Sequence, residues 1–383
     1  MANIRIYLDN QASTPTDPAV ISAMLPFFHD HPGNPHANDH AFGWEANASI
    51  EKARSEIAQI IDCDDTEVIF TSGATESNNL AIFGLAAKAP RGRNRILISS
   101  IEHKSLIEAA LFSAQTFGLE VDYLQVDRDG FVDLDQAKSL IDETALVVSV
   151  MAVNNEVGSI QSISTIAGFC KDSGVILHSD AAQALGAMEV DVQELGVDLL
   201  SLSGHKIYGP KGIGILYMSN DLQAGIEPLI RGGGQQNGLR SGTLPVPLCV
   251  GLGKAFSIND AAARAKERHS IARLRDRFVS NLQKAAPDTK LIGPQGTSRH
   301  PANASVMFPG IDASDLLTRL QPMLAASTGS ACTSGIPEPS HVLMALGLTA
   351  SEARSCVRFS FGRFSTLEDC DAATDLIIKA LLR

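Results

Sequence analysis

The chain has 383 residues, a length that sets a prior of two to three domains. Hydrophobic residues make up 44% and charged ones 19%, which excludes a disordered chain and is ordinary for a globular one. A net charge of −12 disfavours a phosphate backbone as main partner, so no nucleic acid is expected.

The N-terminal stretch MANIRIYLDNQAS has neither a long apolar segment nor a basic run, so no leader is expected. No window approaches the ~20 apolar residues of a membrane helix, so no membrane partner is expected either. His29, His31, His36 and His40 crowd a Pro/Gly-rich loop, but no spacing sets two of them on one helical face, and no metal site is expected. Residues Gly43–Ile61 read as a helix with Trp44, Ala48, Ile50, Ala53, Ile57 and Ile61 on one stripe. Short apolar runs then alternate with amphipathic stretches. Strands are expected over Glu67–Thr71, Arg95–Ser99, Val121–Val126, Leu146–Met151, Val175–Ser179, Leu199–Ser203 and Gly214–Met218. Helices are expected between them, over Glu76–Ala87, Lys104–Phe117, Leu134–Ile141 and Ser164–Asp172. This alternation predicts an α/β domain whose mostly parallel sheet is covered on both faces. After about Gly251 the texture changes. A charged helix over Arg264–Ala286, a strand over Ala304–Phe308 and a helix over Ser314–Leu320 come first. A strand over Ser355–Ser360 and a helix over Leu367–Leu382 complete a second, smaller α/β domain, with the boundary near residue 258.

In open α/β sheets, ligands bind outside the carboxyl ends of the strands. Five such ends carry polar groups here: Ser72–Glu76, Glu102-His103, Asn154–Glu156, Asp180–Gln183 and Gly204–Lys206. The Ser72–Thr75 turn runs into a helix N-terminus, where free amides and the helix dipole favour an anion. Lys206 follows a buried strand, so desolvation would lower its pKa and make its amine nucleophilic. Such an amine can condense with a carbonyl cofactor, and pyridoxal phosphate needs that lysine, an acid for its ring nitrogen and an anion site. Asp180 can supply the acid; Ser203, His205 and the Ser72–Thr75 turn can supply the anion site.

Six cysteines, Cys63, Cys170, Cys249, Cys332, Cys356 and Cys370, are scattered without a C-x-x-C pair. Neither a disulfide framework nor a structural zinc is expected, and reduced thiols point to the cytoplasm. Cys332 lies in the run AASTGSACTSG. Small residues cannot anchor a loop by burial, so the composition predicts a mobile segment.

Long strings in this order resemble the cysteine desulfurases of the NifS/IscS type, which are fold type I pyridoxal-phosphate enzymes. They are TSGATESNN (71–79), EHK (102–104), VNNEVG (153–158), HSDAAQ (178–183), SGHKIYGPKG (203–212), GGGQQNGLRSGT (232–243), STGSACTS (327–334) and RFSFGR (358–363). The resemblance runs from about Tyr7 to the C-terminus. It implies a large domain (15–258) built on a mostly parallel seven-stranded sheet. It also implies a smaller α/β domain (1–14 and 259–383) that carries a mobile catalytic-cysteine loop at about 325–340.

Carried over by position, the resemblance implies that Lys206 holds pyridoxal 5'-phosphate covalently, Asp180 pairs with its ring nitrogen and Gln183 reaches its ring oxygen. His103 stacks on the ring and moves a proton, while Ala74 (backbone), Thr75, Ser203 and His205 hold the phosphate. Thr243 reaches the phosphate in the neighbouring subunit, which implies a homodimer. Asn155, at the cofactor, also binds substrate together with Arg358, whose guanidinium forks onto the substrate carboxylate. The implied reaction takes sulfur from L-cysteine, leaving L-alanine and a persulfide on Cys332. The sulfur goes to an acceptor protein, an iron–sulfur scaffold or another thiolation partner. No resident metal is implied, and Cys332 would ligate a nascent cluster only transiently with a scaffold. A related pyridoxal-phosphate lyase or aminotransferase acting on another amino acid is the alternative, and it needs no thiol. A cofactor-free binding module would require loss of Lys206, Asp180 or Cys332, and all three are present. Two positions depart from the family pattern: Gln236-Asn237 stand where a Glu-Arg pair is commoner, and Gln11 replaces a commoner small residue.

Overall fold

The computed structural model describes residues 5–258, 260–328 and 338–382. Twelve strands run in chain order among them: β1 (Ile6–Tyr7), β2 (Val68–Thr71), β3 (Arg95–Ser99), β4 (Glu120–Leu124), β5 (Ala145–Ser149), β6 (Ile176–Asp180), β7 (Leu199–Ser203), β8 (Gly214–Met218), β9 (Lys290–Leu291), β10 (Asn303–Met307), β11 (Leu324–Ala325) and β12 (Cys356–Ser360). Seven form one sheet in the order β2-β8-β7-β6-β5-β3-β4. β8 is antiparallel to both its neighbours, and the remaining pairs are parallel.

The apolar runs explain why this sheet is covered on both sides. Successive side chains point to opposite faces. Val68, Phe70, Leu97, Val148, Leu200 and Ile215 join one core, packed with Ile50 and Ile57 of the Ala41–Ile61 helix and with Ile166 and Leu252. Ile69, Ile96, Ile98, Val147, Leu199 and Leu216 join another, packed with Leu80 and Ile82 of the Ala74–Ala86 helix and Leu106 and Ala110 of the Lys104–Phe117 helix. β2, β5, β7 and β8 are buried along their whole length, while the edge strand β4 is half exposed.

The smaller sheet, in the order β12-β10-β9, is antiparallel throughout. Its strands alternate. Ala304, Val306, Val357 and Phe359 enter a core with Phe278, Leu316 and Ile377, whereas Asn303, Ser305, Arg358 and Ser360 share the opposite face. The N-terminal segment belongs to this core: β1 pairs in parallel with β11, and Ile6 and Leu8 pack beside Phe278.

Several details differ from the sequence reading, among them element ends such as β4, which stops at Leu124 rather than Val126. Trp44 is 58% exposed and Ala48 is also exposed, because both are out of step with the buried Ala46, Ile50, Ala53 and Ile57. The indole's size suggested burial, yet its Nε1 donates to the Asn38 carbonyl at the surface. The helix after β2 begins at Ala74 rather than Glu76, so its first turn includes the whole Ala74–Glu76 segment. Asp180 is the last residue of β6 rather than the first of the following turn. Within the histidine-rich loop, His40 caps the Ala41–Ile61 helix, accepting from the Gly43 amide.

Candidate active site

The ends of β2, β3, β5, β6 and β7 border a cavity of about 850 Å³. At the end of β2 the chain turns through Gly73, whose φ of +144° is outside the range of residues with a side chain. Gly214 of β8 packs against this turn so closely that a Cβ there would lie 2.7 Å from the Gly73 Cα. The first-turn amides of the Ala74–Ala86 helix have no carbonyl partner within the helix, and Ala74 and Thr75 line the cavity. Behind them, Glu76 accepts from the Ser72 amide at 2.7 Å and pairs with Arg240 at 2.8 Å. Burial works against ionisation of Glu76, but Arg240 and Ser72 hold its carboxyl below the usual range. Ser203 and His205 close this corner, with His205 Nδ1 3.3 Å from the Ser13 hydroxyl. Burial, aided by Lys206 and Lys211, pushes the His205 pKa down to about 4, so the ring is neutral. This corner is a cradle for an anion.

Lys206 follows β7. Its Nζ donates to the carbonyls of Gln11 at 2.5 Å and Ala12 at 2.9 Å. Burial, then the Arg358 charge, lowers its pKa to about 8, against the opposing pull of Asp180 and Asp9. Asp180 is buried; its Oδ2 accepts from Asn78 at 2.8 Å and its Oδ1 from the Ala182 amide at 3.0 Å. It stands in the cavity wall, and among the described residues it forms no salt bridge. Gln183, also buried, donates to the Gln11 carbonyl at 2.9 Å.

His103, after β3, caps the Lys104–Phe117 helix and faces the cavity, with Nδ1 2.8 Å from the Ser105 hydroxyl. Crowding by neighbouring atoms, with Lys206 and His341 adding to it, holds its pKa below the ordinary imidazole value despite Asp180. Asn155, after β5, lines the cavity, and its carbonyl accepts from Arg358 Nη1 at 2.8 Å. Arg358 is 5% exposed, on the polar face of β12, and its Nη2 pairs with Asp9 at 2.9 Å. The guanidinium is thereby fixed in orientation, while its Nε has no partner among the described residues.

The structure thus brings Lys206, Asp180, Gln183, His103, Ala74, Thr75, Ser203, His205, Asn155 and Arg358 to one cavity. Thr243 is exposed and is not part of that lining. Cys332 lies outside the described residues. Cys63, Cys170, Cys249, Cys356 and Cys370 are free thiols, and burial pushes each up to about 12, which suits packing and not nucleophilic attack.

The contacts of four residues escaped the sequence reading, although Glu102 and Glu156 stood among its strand-end groups. Asp9 orients Arg358. Glu102 is wholly buried, its Oε1 accepting from Ser99 at 2.5 Å and from the Met151 amide at 2.6 Å, so it ties the ends of β3 and β5 together. Burial raises its pKa to about 8, against those two donors and with help from Asp180. Glu156 accepts from the Ser340 hydroxyl at 2.5 Å, and His341 Nε2 lies 2.9 Å from the Glu102 carbonyl. Acidic residues beside a catalytic-looking histidine or asparagine were the available signal, but a strand-end carboxylate reads first as a turn former.

The assembled groups are an anion cradle, a weakly basic amine, a buried carboxylate and an oriented guanidinium. Together they suit a phosphorylated carbonyl cofactor and an amino acid held side by side. The comparisons with known proteins fit this chemistry. The aminotransferase class-V family profile matches residues 6–373. A Rickettsia felis protein named cysteine desulfurase IscS is 44% identical over 375 residues, which are 98% of this chain and 90% of that protein. A NifS-like protein of known structure superposes with a TM-score of 0.91 at 34% identity, covering 99% of this chain and 100% of the other. A structure of SspA in complex with cysteine matches with a TM-score of 0.82 at 34% identity, over 94% of this chain and 100% of that one.

Proposed function

We infer that this chain, which belongs to the aminotransferase class-V family, is a cysteine desulfurase that uses pyridoxal 5'-phosphate. The observation that carries the reading is a buried Asp180, without a salt bridge among the described residues, in the same cavity as Lys206, with an anion cradle beside them. Those residues fit the cofactor. A protonated ring nitrogen would give Asp180 the cationic donor that its two neutral partners, Asn78 and the Ala182 amide, do not supply. The Gly73 turn, at a φ that residues with a side chain rarely adopt, leads the chain into the free first-turn amides of the Ala74–Ala86 helix. Lys206 would hold the aldehyde carbon, Gln183 the ring oxygen, and Ala74, Thr75, Ser203 and His205 the phosphate, with Thr243 reaching the phosphate of a second copy in a homodimer. When bound, the cofactor supplies an electron sink for charge developing at the substrate Cα.

The chain's own residues do the rest. Arg358 binds the carboxylate of L-cysteine, oriented by Asp9 and by the Asn155 carbonyl. Asn155 holds substrate and cofactor in register. Lys206, whose pKa of about 8 leaves a useful neutral fraction, takes the Cα proton and returns one later. His103, whose pKa burial holds below the ordinary imidazole value, would stack on the ring and move a proton there. Cys332 attacks the substrate sulfur. The substrate carbon–sulfur bond breaks, a sulfur–sulfur bond forms, and the hydrogens balance: L-cysteine and one thiol give L-alanine and one persulfide. A protein acceptor, for iron–sulfur assembly or another thiolation route, then takes the sulfur. Among the described residues no helix is long and apolar enough to cross a membrane.

A division of the chain near residue 258 is part of the same reading. Its support is the separation of the cores, with Ile6 and Leu8 on the side of Phe278 and Phe359. The test of the function is alanine release. Purified protein given L-cysteine and a reducing thiol should form alanine continuously, and Lys206→Ala should form none. Absence of alanine with the unaltered protein would end the desulfurase reading.

A further inference from the structure

We propose that Asn78 and Ser105 are positioning residues that hold His103 as the tautomer with its proton on Nε2 and couple it to Asp180. The proposal rests on the cysteine desulfurase reading and deepens it.

Four side chains stand in line. Asp180 Oδ2 lies 2.8 Å from Asn78 Nδ2, and the same nitrogen lies 3.1 Å from the Ser105 hydroxyl. That hydroxyl lies 2.8 Å from His103 Nδ1. Each link has one direction. A carboxylate accepts, so the part of Asn78 that meets Asp180 is its NH2 group, whose second hydrogen goes to the Ser105 oxygen. Asn78 is wholly buried and keeps this orientation although its own Oδ1 has no partner among the described residues. At the far end, the Ser105 main-chain N–H also meets His103 Nδ1, at 3.1 Å. An amide N–H only donates, so Nδ1 must offer its lone pair there. The Ser105 oxygen already accepts from Asn78, and its own hydrogen also turns to Nδ1. With two donors on Nδ1, the neutral ring carries its proton on Nε2. Burial disfavours the charged ring, and Lys206, His341 and Lys104 act with it against the pull of Asp180.

The fold makes this line rigid. Asn78 lies four residues after Ala74, one turn beyond the anion cradle on the same helix. His103 caps the Lys104–Phe117 helix, and Ser105 is in its first turn. The two helices share a core through Leu80, Ile82, Leu106 and Ala110. His103 lines the cavity and is exposed, so its ring reaches what the cavity holds. Nδ1 is turned to the helix, which leaves Nε2–H for the cavity. A neutral N–H donor can meet negative charge developing on a bound molecule. The tautomer thus narrows the part His103 takes in proton movement: donation from Nε2 is open to it, and abstraction at Nε2 is closed.

The test uses the cofactor-loaded enzyme with isotopically labelled histidine ring nitrogens. Nitrogen spectra, with His103→Gln identifying the signal, should show an unprotonated Nδ1 and a protonated Nε2. Ser105→Ala should shift that signal toward a mixture of tautomers. It should lower kcat for alanine about fivefold, the scale of one hydrogen bond, with KM for L-cysteine and cofactor content nearly unchanged. Ser105→Thr keeps a hydroxyl and should restore both the signal and kcat. Asn78→Ala leaves every atom bonded to His103 in place, yet it should move the same signal in the same direction. A neutral ring protonated on Nδ1 would overturn the proposal. So would an unmoved signal in Ser105→Ala or Asn78→Ala, an unchanged kcat in Ser105→Ala, or no rescue by Ser105→Thr. If an alanine variant does not fold, Ser105→Cys, a weaker donor, or Asn78→Ser, too short to reach both partners, carries the same comparison. Failure of the desulfurase reading would show separately, as no alanine from the unaltered protein whatever its tautomer.

Discussion

In the seven-stranded sheet, β2, β5, β7 and β8 are buried from end to end, and the functional groups appear where strands stop. In the three-stranded sheet, β10 and β12 are buried from end to end as well, but only one face is apolar throughout; the other joins Met307 and Cys356 of a further core to Asn303, Ser305, Arg358 and Ser360, with Arg358 in mid-strand opposite Ser305. The difference follows from layering. Strands that meet apolar layers on both faces have no room for a charge within them, so Asp180 and Lys206 sit at or just past the termini. The small sheet alternates between an apolar face and a buried face with polar residues, and there Asp9 and the Asn155 carbonyl receive a guanidinium held with strand-level rigidity. In this account the large sheet holds the cofactor and the small sheet reads the substrate.

The largest effect should come from the large sheet. Lys206→Ala should abolish alanine formation and leave no covalently held cofactor, as shown by absorbance after gel filtration. Retained activity would break the division at its first step. On the small sheet, Arg358→Lys should keep the cofactor but raise KM for L-cysteine roughly 10- to 100-fold, because a point charge replaces an oriented fork. A loss of cofactor in that variant would show that the two sheets do not divide the work.

A smaller effect lies in pH. Burial favours the neutral amine of Lys206, so its deprotonated fraction grows as pH rises past about 8. Uptake of pyridoxal phosphate by cofactor-free protein should therefore accelerate through about pH 8, whereas an ordinary lysine would place the rise near ~10.4. A midpoint at the ordinary value would contradict a desolvated amine. The smallest effect concerns the join between the sheets. Ser340→Ala removes the hydroxyl that satisfies buried Glu156 and should cost about 1 kcal/mol, seen as a lower Tm at unchanged cofactor content. No change in Tm would mean that the contact is not formed in solution.

The strands and the strand-end motifs were legible in the sequence because both depend on short-range pattern. The Asp180, Lys206 and Ser72–Thr75 motifs lie just where a short, continuous apolar run gives way to polar residues. Trp44 was misplaced because hydrophobicity was weighed above helical phase. The contacts of Asp9, Glu102, Glu156 and His341 were hidden for another reason. Their partners lie far along the chain: Arg358 for Asp9, Met151 for Glu102, Ser340 for Glu156. Gln236 belongs with them. Its side chain pairs with both the amide and the carbonyl of Phe70, at 2.8 and 2.9 Å, and so occupies the open edge of β2. Read from sequence alone, the same residue was only a missing ion-pair partner.

The central claim is that sulfur from L-cysteine comes to rest on Cys332. The direct measurement is peptide mass analysis after a single turnover without reductant, with alanine counted in parallel. The account predicts the mass of one added sulfur atom on the peptide containing Cys332, one alanine per modified chain, and neither from Cys332→Ser with its cofactor still bound. Full alanine formation by Cys332→Ser, or added sulfur on Cys63, Cys170, Cys249, Cys356 or Cys370 instead, would contradict it.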